Sequence, residues 1–119
     1  MRPTSFSVLI ASAAILWTTG PALAHVHLES STPRNGSTIS APTEIIVRFS
    51  GPIIARSSGI KLVDERSEEV SAAILPSGNR EILARPGHPL SPGIYRLTWK
   101  AAGENDGHRM SGIISFTVK

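Results

Sequence analysis

The chain has 119 residues, a formal charge of +3 and no cysteine. The lack of thiols excludes thiolate metal sites, iron-sulfur clusters, a cysteine nucleophile and any disulfide staple. Its 12 lysines and arginines stand singly and never in a run, so the basic balance carries no nucleic-acid footprint.

Residues 1–24 read as a secretory signal. Arg2 supplies the positive start, residues 6–17 form an apolar run, and Ala22, Leu23 and Ala24 make an A-x-A cleavage site. The apolar run is broken by serines and threonines and ended by Gly20 and Pro21. It falls well short of the roughly 20 apolar residues that a spanning helix needs. The mature protein is therefore expected to be residues 25–119, one domain with no membrane span, burying roughly 60–65% of its unfolded surface on folding.

From His25 onward, short β-runs alternate with turn residues. HVHLESS (25–31) suits an extended first strand, and TPRNGS (32–37) is a turn by composition. TEIIVRFS (43–50) is rich in β-branched residues and reads as a strand with a buried centre, closed by Gly51 and Pro52. IKLVDE (60–65), VSAAIL (70–75) and EILAR (81–85) are three further strands bounded by polar turns, and the proline- and glycine-rich stretch 86–93 is irregular. In IYRLTWKA (94–101), Tyr95, Leu97 and Trp99 alternate with Arg96, Thr98 and Lys100, the period of a half-buried strand. AGENDG (102–107) is the last turn and IISFTV (113–118) the closing strand. Six or seven short strands without an amphipathic helix predict an all-β, two-sheet antiparallel sandwich.

The residues able to carry chemistry lie at the two ends of this expected domain. A mature chain beginning at His25 offers one metal two nitrogens from a single residue, its α-amine and its imidazole. His27 falls on the same side of an extended segment. It is either an auxiliary ligand, a solvent-facing histidine, or the anchor of a competing mode in which the amine, two backbone amides and the third-position ring hold Cu(II). Asp106 and His108 flank Gly107 in the last turn. Asn105, Asp106 and Gly107 are also an ordinary turn signal, and the pair gains weight from the histidine at the other end. Imidazoles, an amine and one carboxylate form the nitrogen-rich set that tetragonal Cu(II) prefers, and the hard carboxylate favours Cu(II) over Cu(I). Met110 is the only methionine beyond Met1, which argues against a thioether Cu(I) site. His88 is read as a surface histidine, the cluster Asp64, Glu65, Glu68 and Glu69 as solvated charge, and Tyr95 and Trp99 as core.

Several of these features occur together in the CopC family of periplasmic copper-resistance proteins. The chain resembles that family in His25 directly after the signal, the STPRNGS turn, the PGIYRLTWKA strand, and NDGH followed by Gly112 and SFTV. The resemblance implies a Greek-key β-sandwich or barrel, cupredoxin-like or immunoglobulin-like, of about seven strands. It also implies one Cu(II) per mature chain, held by the amine and ring of His25 with Asp106 and His108, and a CopD-type inner-membrane copper transporter as partner. The methionine-rich Cu(I) site of many members is missing. Two other functions compete with a periplasmic copper carrier or buffer: a copper-dependent polysaccharide monooxygenase with a histidine brace, and a structural sandwich whose histidines are incidental.

Overall fold

A computed structural model describes residues 26–119; the expected signal and His25 lie outside the described residues. Nine strands form two sheets. β1 (Leu28–Thr32), β3 (Ile45–Phe49), β6 (Ala72–Leu75) and β7 (Glu81–Pro86) make one sheet in the order β1-β3-β7-β6. β2 (Ser37–Ile39), β4 (Gly59–Val63), β5 (Glu69–Val70), β8 (Gly93–Ala102) and β9 (Arg109–Val118) make the other, in the order β2-β9-β8-β4-β5. Both sheets keep their edges, so the domain is a sandwich and not a closed barrel.

The expected fold class holds, with two differences in detail. The run 70–75 is not one strand. Its first part pairs with β4 and its second with β7, in opposite sheets. The chain crosses at Ser71, whose carbonyl accepts the Gly87 N–H at 2.9 Å. In addition, the last residue of the expected 32–37 turn and the two that follow form a three-residue edge strand, β2, which runs parallel to β9. These two short segments account for nine strands against about seven expected. A one-turn 3-10 helix, Ala55–Ser57, links β3 to β4.

Alternation sets the core. In β3, Ile45, Val47 and Phe49 point inward, while Arg48 faces out and pairs with Glu81 at 2.8 Å and Glu29 at 3.4 Å. In β8, Tyr95, Leu97, Trp99 and Ala101 are buried and the residues between them are exposed. Phe49 meets the edge of Trp99 at 5.3 Å between centroids, and Tyr95 stacks on Phe116 at 5.6 Å. Each such side chain contributes roughly 1.5–3 kcal/mol by leaving water. No polar side chain is buried among the described residues, so the interior is a continuous apolar layer between the sheets.

β8 and β9 form the longest hairpin, paired from Gly93↔Val118 to Ala102↔Arg109. At about 3.4 Å per residue, β8 spans roughly 30 Å. It therefore carries the 103–108 turn at one end of the sandwich and the 86–93 loop at the other.

Candidate metal centre

The hairpin turn holds Asp106 and His108 in a fixed relation. Gly107 has φ +67°, the left-handed region where a side chain is strained. Its N–H donates to the Gly103 carbonyl at 2.9 Å, and the Gly103 N–H donates to the His108 carbonyl at 3.0 Å. Within that frame Asp106 Oδ1 accepts the His108 N–H at 2.9 Å, an Asx turn. Carboxylate and imidazole thus stand on one short closed turn, and both residues are exposed.

The turn is tied to the rest of the domain on its inner side. Ile53 bridges to Gly103, the Ile54 N–H donates to the Ala102 carbonyl at 2.8 Å, and the Glu104 N–H donates to the Pro52 carbonyl at 3.0 Å. Alternation fails here, because Ala101, Ala102 and Gly103 are all buried; chain closes over both faces of the strand and only small residues fit. Gly103 matters most. A methyl group at that position would lie 2.8 Å from Asp106 Oδ1 and 3.3 Å from Val26 Cγ2. The Asp106 carboxylate and the side chain of residue 26 therefore approach the same point.

Val26 is buried (8% exposed) and also packs on Gly51, where a Cβ would meet its Cγ2 at 3.1 Å. His27 is exposed and strapped to Ser50. The Ser50 N–H donates to the His27 carbonyl at 2.9 Å, the His27 N–H donates to Ser50 Oγ at 3.0 Å, and that Oγ lies 3.1 Å from His27 Nδ1. The N-terminal segment is thus laid along the end of β3, beside the hairpin turn, although β1 and β8 belong to different sheets.

The structure places Asp106 and His108 on one turn and sets residues 26 and 27 against the same end of the domain. Among the described residues no group of three or more histidine, aspartate or glutamate side chains converges; His25, the expected third contributor, lies outside them. His88 is at the opposite end, its Nδ1 3.0 Å from the carbonyl of Pro89, and is not brought near this turn. Asp64 caps its own turn by accepting the N–H groups of Arg66 and Glu68 at 2.9 and 3.0 Å. Met110 is partly buried against the core. Trp99 lies against Phe49 and over Gly112, whose added Cβ would fall 2.7 Å from Trp99 Cζ2. Gly103, Ser50 and Val26 were not singled out from sequence as parts of the site. The run of small residues Ala101-Ala102-Gly103 was the one available signal of a close approach.

Fold and turn together define a thiol-free, two-sheet β-sandwich that carries a carboxylate and an imidazole on one turn at one end, donor types suited to a borderline divalent metal such as Cu(II). The CopC domain model matches residues 28–119, and the chain belongs to the CopC family. It is 34% identical to Copper resistance protein C of Pseudomonas syringae pv. tomato over 127 residues, covering 100% of this chain and 98% of that protein. It is 33% identical to Copper resistance protein C of Escherichia coli, covering 82% and 84% of the two chains. The crystal structure of PcoC, a methionine-rich copper resistance protein from Escherichia coli, matches with TM-score 0.72 and 34% identity over 81% of this chain and 100% of that one. CopC from Methylosinus trichosporium OB3b shares the fold with TM-score 0.72 at 24% identity, covering 80% and 94%.

Membership carries copper binding, and the family's proteins are periplasmic carriers without enzymatic activity. This sets aside the monooxygenase reading. Among the described residues the aromatic side chains, Phe49, Tyr95, Trp99 and Phe116, are all buried. No helix among the described residues is long and apolar enough to cross a membrane.

Proposed function

We propose that the chain is exported to the periplasm, cleaved after Ala24, and acts as a Cu(II) carrier or buffer in copper resistance. One Cu(II) per mature chain is held by the α-amine and imidazole of His25 together with Asp106 and His108. The observation that carries this reading is the seating of Val26. Its side chain and the Asp106 carboxylate converge on Gly103, and a neighbouring Cα is about 3.8 Å along the chain. A chain beginning at His25 therefore has its first residue within reach of the hairpin turn. Amine, imidazoles and carboxylate make a predominantly nitrogen set carrying one negative charge, which favours the cupric state.

Met1 and Met110 are the only methionines, and Met110 packs on the core. The chain thus lacks material for a separate thioether Cu(I) site and operates with copper in one oxidation state. A CopD-type inner-membrane transporter is the partner that such a carrier would serve. The test compares Cu(II) affinity and EPR spectra of a protein beginning at His25 with one carrying an extra alanine before it. The extra residue is expected to weaken binding sharply and change the spectrum. Identical behaviour would remove the amine from the site, and binding no tighter than that of a generic surface histidine would return the domain to a structural role.

A further inference from the structure

His27 poses a question that the ligand set alone does not answer. A chain beginning at His25 also presents the third-position histidine mode, in which one Cu(II) takes the terminal amine, the amide nitrogens of residues 26 and 27, and Nδ1 of His27. Each amide gives up its proton to solvent as the metal binds. That chelate is self-contained and uses the same amine as the Asp106 and His108 site, so the two modes exclude one another.

The hydrogen bonds at Ser50 bear directly on this competition. The β1 to β3 ladder starts with Leu28 opposite Phe49, and Ser50 carries it one residue further, to His27. Its backbone N–H donates to the His27 carbonyl at 2.9 Å. Its hydroxyl oxygen lies 3.0 Å from the His27 amide nitrogen and 3.1 Å from His27 Nδ1. Two of the four donor atoms of the competing chelate are therefore engaged by one serine hydroxyl. A third, the amide of residue 26, belongs to a residue whose side chain is buried between Gly51 and Gly103. Wrapping residues 25–27 around a metal would break the serine contacts and pull Val26 from its seat.

We infer that Ser50 is a specificity-determining residue for copper: by holding the amide and Nδ1 of His27, it disfavours the four-nitrogen terminal chelate and reserves the amine for the site with Asp106 and His108. This inference rests on the proposed role of the His25 amine. It makes His27 a strapped neighbour of the metal and not a ligand through Nδ1.

The test uses the protein beginning at His25 with one equivalent of Cu(II), read by visible absorption and EPR. Ser50→Ala is expected to raise the ratio of the four-nitrogen form to the carboxylate-containing form about tenfold, the change expected from losing the two exposed contacts of the hydroxyl. The new component has its d–d band at shorter wavelength and a larger parallel copper splitting, because two amide nitrogens replace oxygen and imidazole donors. It disappears when His27→Ala is added. Ser50→Thr, which keeps the hydroxyl, retains the wild-type spectrum; a threonine variant that behaves like the alanine variant would overturn the inference. A Ser50→Ala spectrum identical to wild type, alongside an altered spectrum for the chain with an extra alanine before His25, overturns the role of Ser50 alone. If the extra alanine leaves the wild-type spectrum unchanged, the amine is not a ligand, and the proposed site falls together with this inference.

Discussion

Substituting Gly103 by alanine perturbs the proposed copper site without removing any ligand. The added methyl would sit 2.8 Å from Asp106 Oδ1, 3.3 Å from Val26 Cγ2 and 3.6 Å from Val26 Cβ. Val26 is packed against Gly51 and cannot retreat far, so the carboxylate has to move. Reaching an ordinary contact requires a shift of roughly half an ångström or more, which strains or breaks the 2.9 Å bond from the His108 N–H. Metal–ligand distances tolerate only about 0.2 Å, so the shift exceeds what the coordination can absorb. The expected loss is about 10–100-fold in Cu(II) affinity, the usual effect of disturbing the groups that orient a ligand. Stability should fall by only about 1 kcal/mol, because the affected hydrogen bond is exposed. Competition titration against a chromogenic Cu(II) chelator measures the affinity, and thermal unfolding of the apo protein measures the stability. If Asp106→Ala weakens binding and Gly103→Ala does not, the steric reasoning at Gly103 is refuted. If neither variant weakens it, Asp106 is not a ligand.

Gly112→Ala places a methyl 2.7–2.8 Å from the Trp99 indole atoms. Since that ring is held by Phe49, the variant should lose about 1–3 kcal/mol by overpacking, seen as a fall in Tm and a shift in the emission of Trp99, the only tryptophan after residue 24. Tyr95 is the only tyrosine in the chain; burial, and then the charge of Asp64, push its phenol above the usual 10.0. The neutral form is favoured in the folded state, so this contribution is intact below about pH 10 and is lost as the pH rises through the raised value. Ultraviolet titration should show late ionisation, and Tyr95→Phe should remove the alkaline loss. Cu(II) affinity should fall from pH 8 to pH 5, because an α-amine with a free pKa of about 7.7–8.0 must be deprotonated to bind; a flat profile counts against the amine. The apo protein should show full β-sheet circular dichroism, because the most deeply buried side chains, Phe49, Phe116, Ile45, Leu62, Leu97 and Val47, form an apolar core that includes none of the proposed ligands.

Those parts of the fold that depend on local pattern were legible. The alternation of Tyr95, Leu97 and Trp99 against Arg96, Thr98 and Lys100 matches the observed faces of β8, and the turn carrying Asp106 and His108 falls where Asn105, Asp106 and Gly107 put it. The break at Ser71 was not legible, because a single serine within Val70 to Leu75 is no turn signal and a change of sheet is decided by what lies opposite each half, β4 for one and β7 for the other. The parallel pairing of β2 with β9 was hidden for the same reason. Gly103 and Ser50 escaped notice because their importance comes from partners distant in sequence: Val26 packs beside Gly103, and His27 lies 23 residues from Ser50. Neither proximity leaves a periodic mark on the chain.

The arrangement divides the labour between two kinds of structure. Asp106 and His108 are fixed by a closed turn on the longest hairpin, so their positions are set by β8 and β9 whether or not metal is present. The other contributor proposed, His25, would be the first residue of the processed chain. What steadies that end is Val26 in its seat between Gly51 and Gly103, with His27 strapped to Ser50. In the proposed site, preorganisation on the hairpin side would raise affinity, and release would require residues 26 and 27 to lift from the end of β3. A carrier needs both properties: a fully rigid cage would hold copper without delivering it, and a fully mobile terminus would surrender the amine to the local chelate at His27.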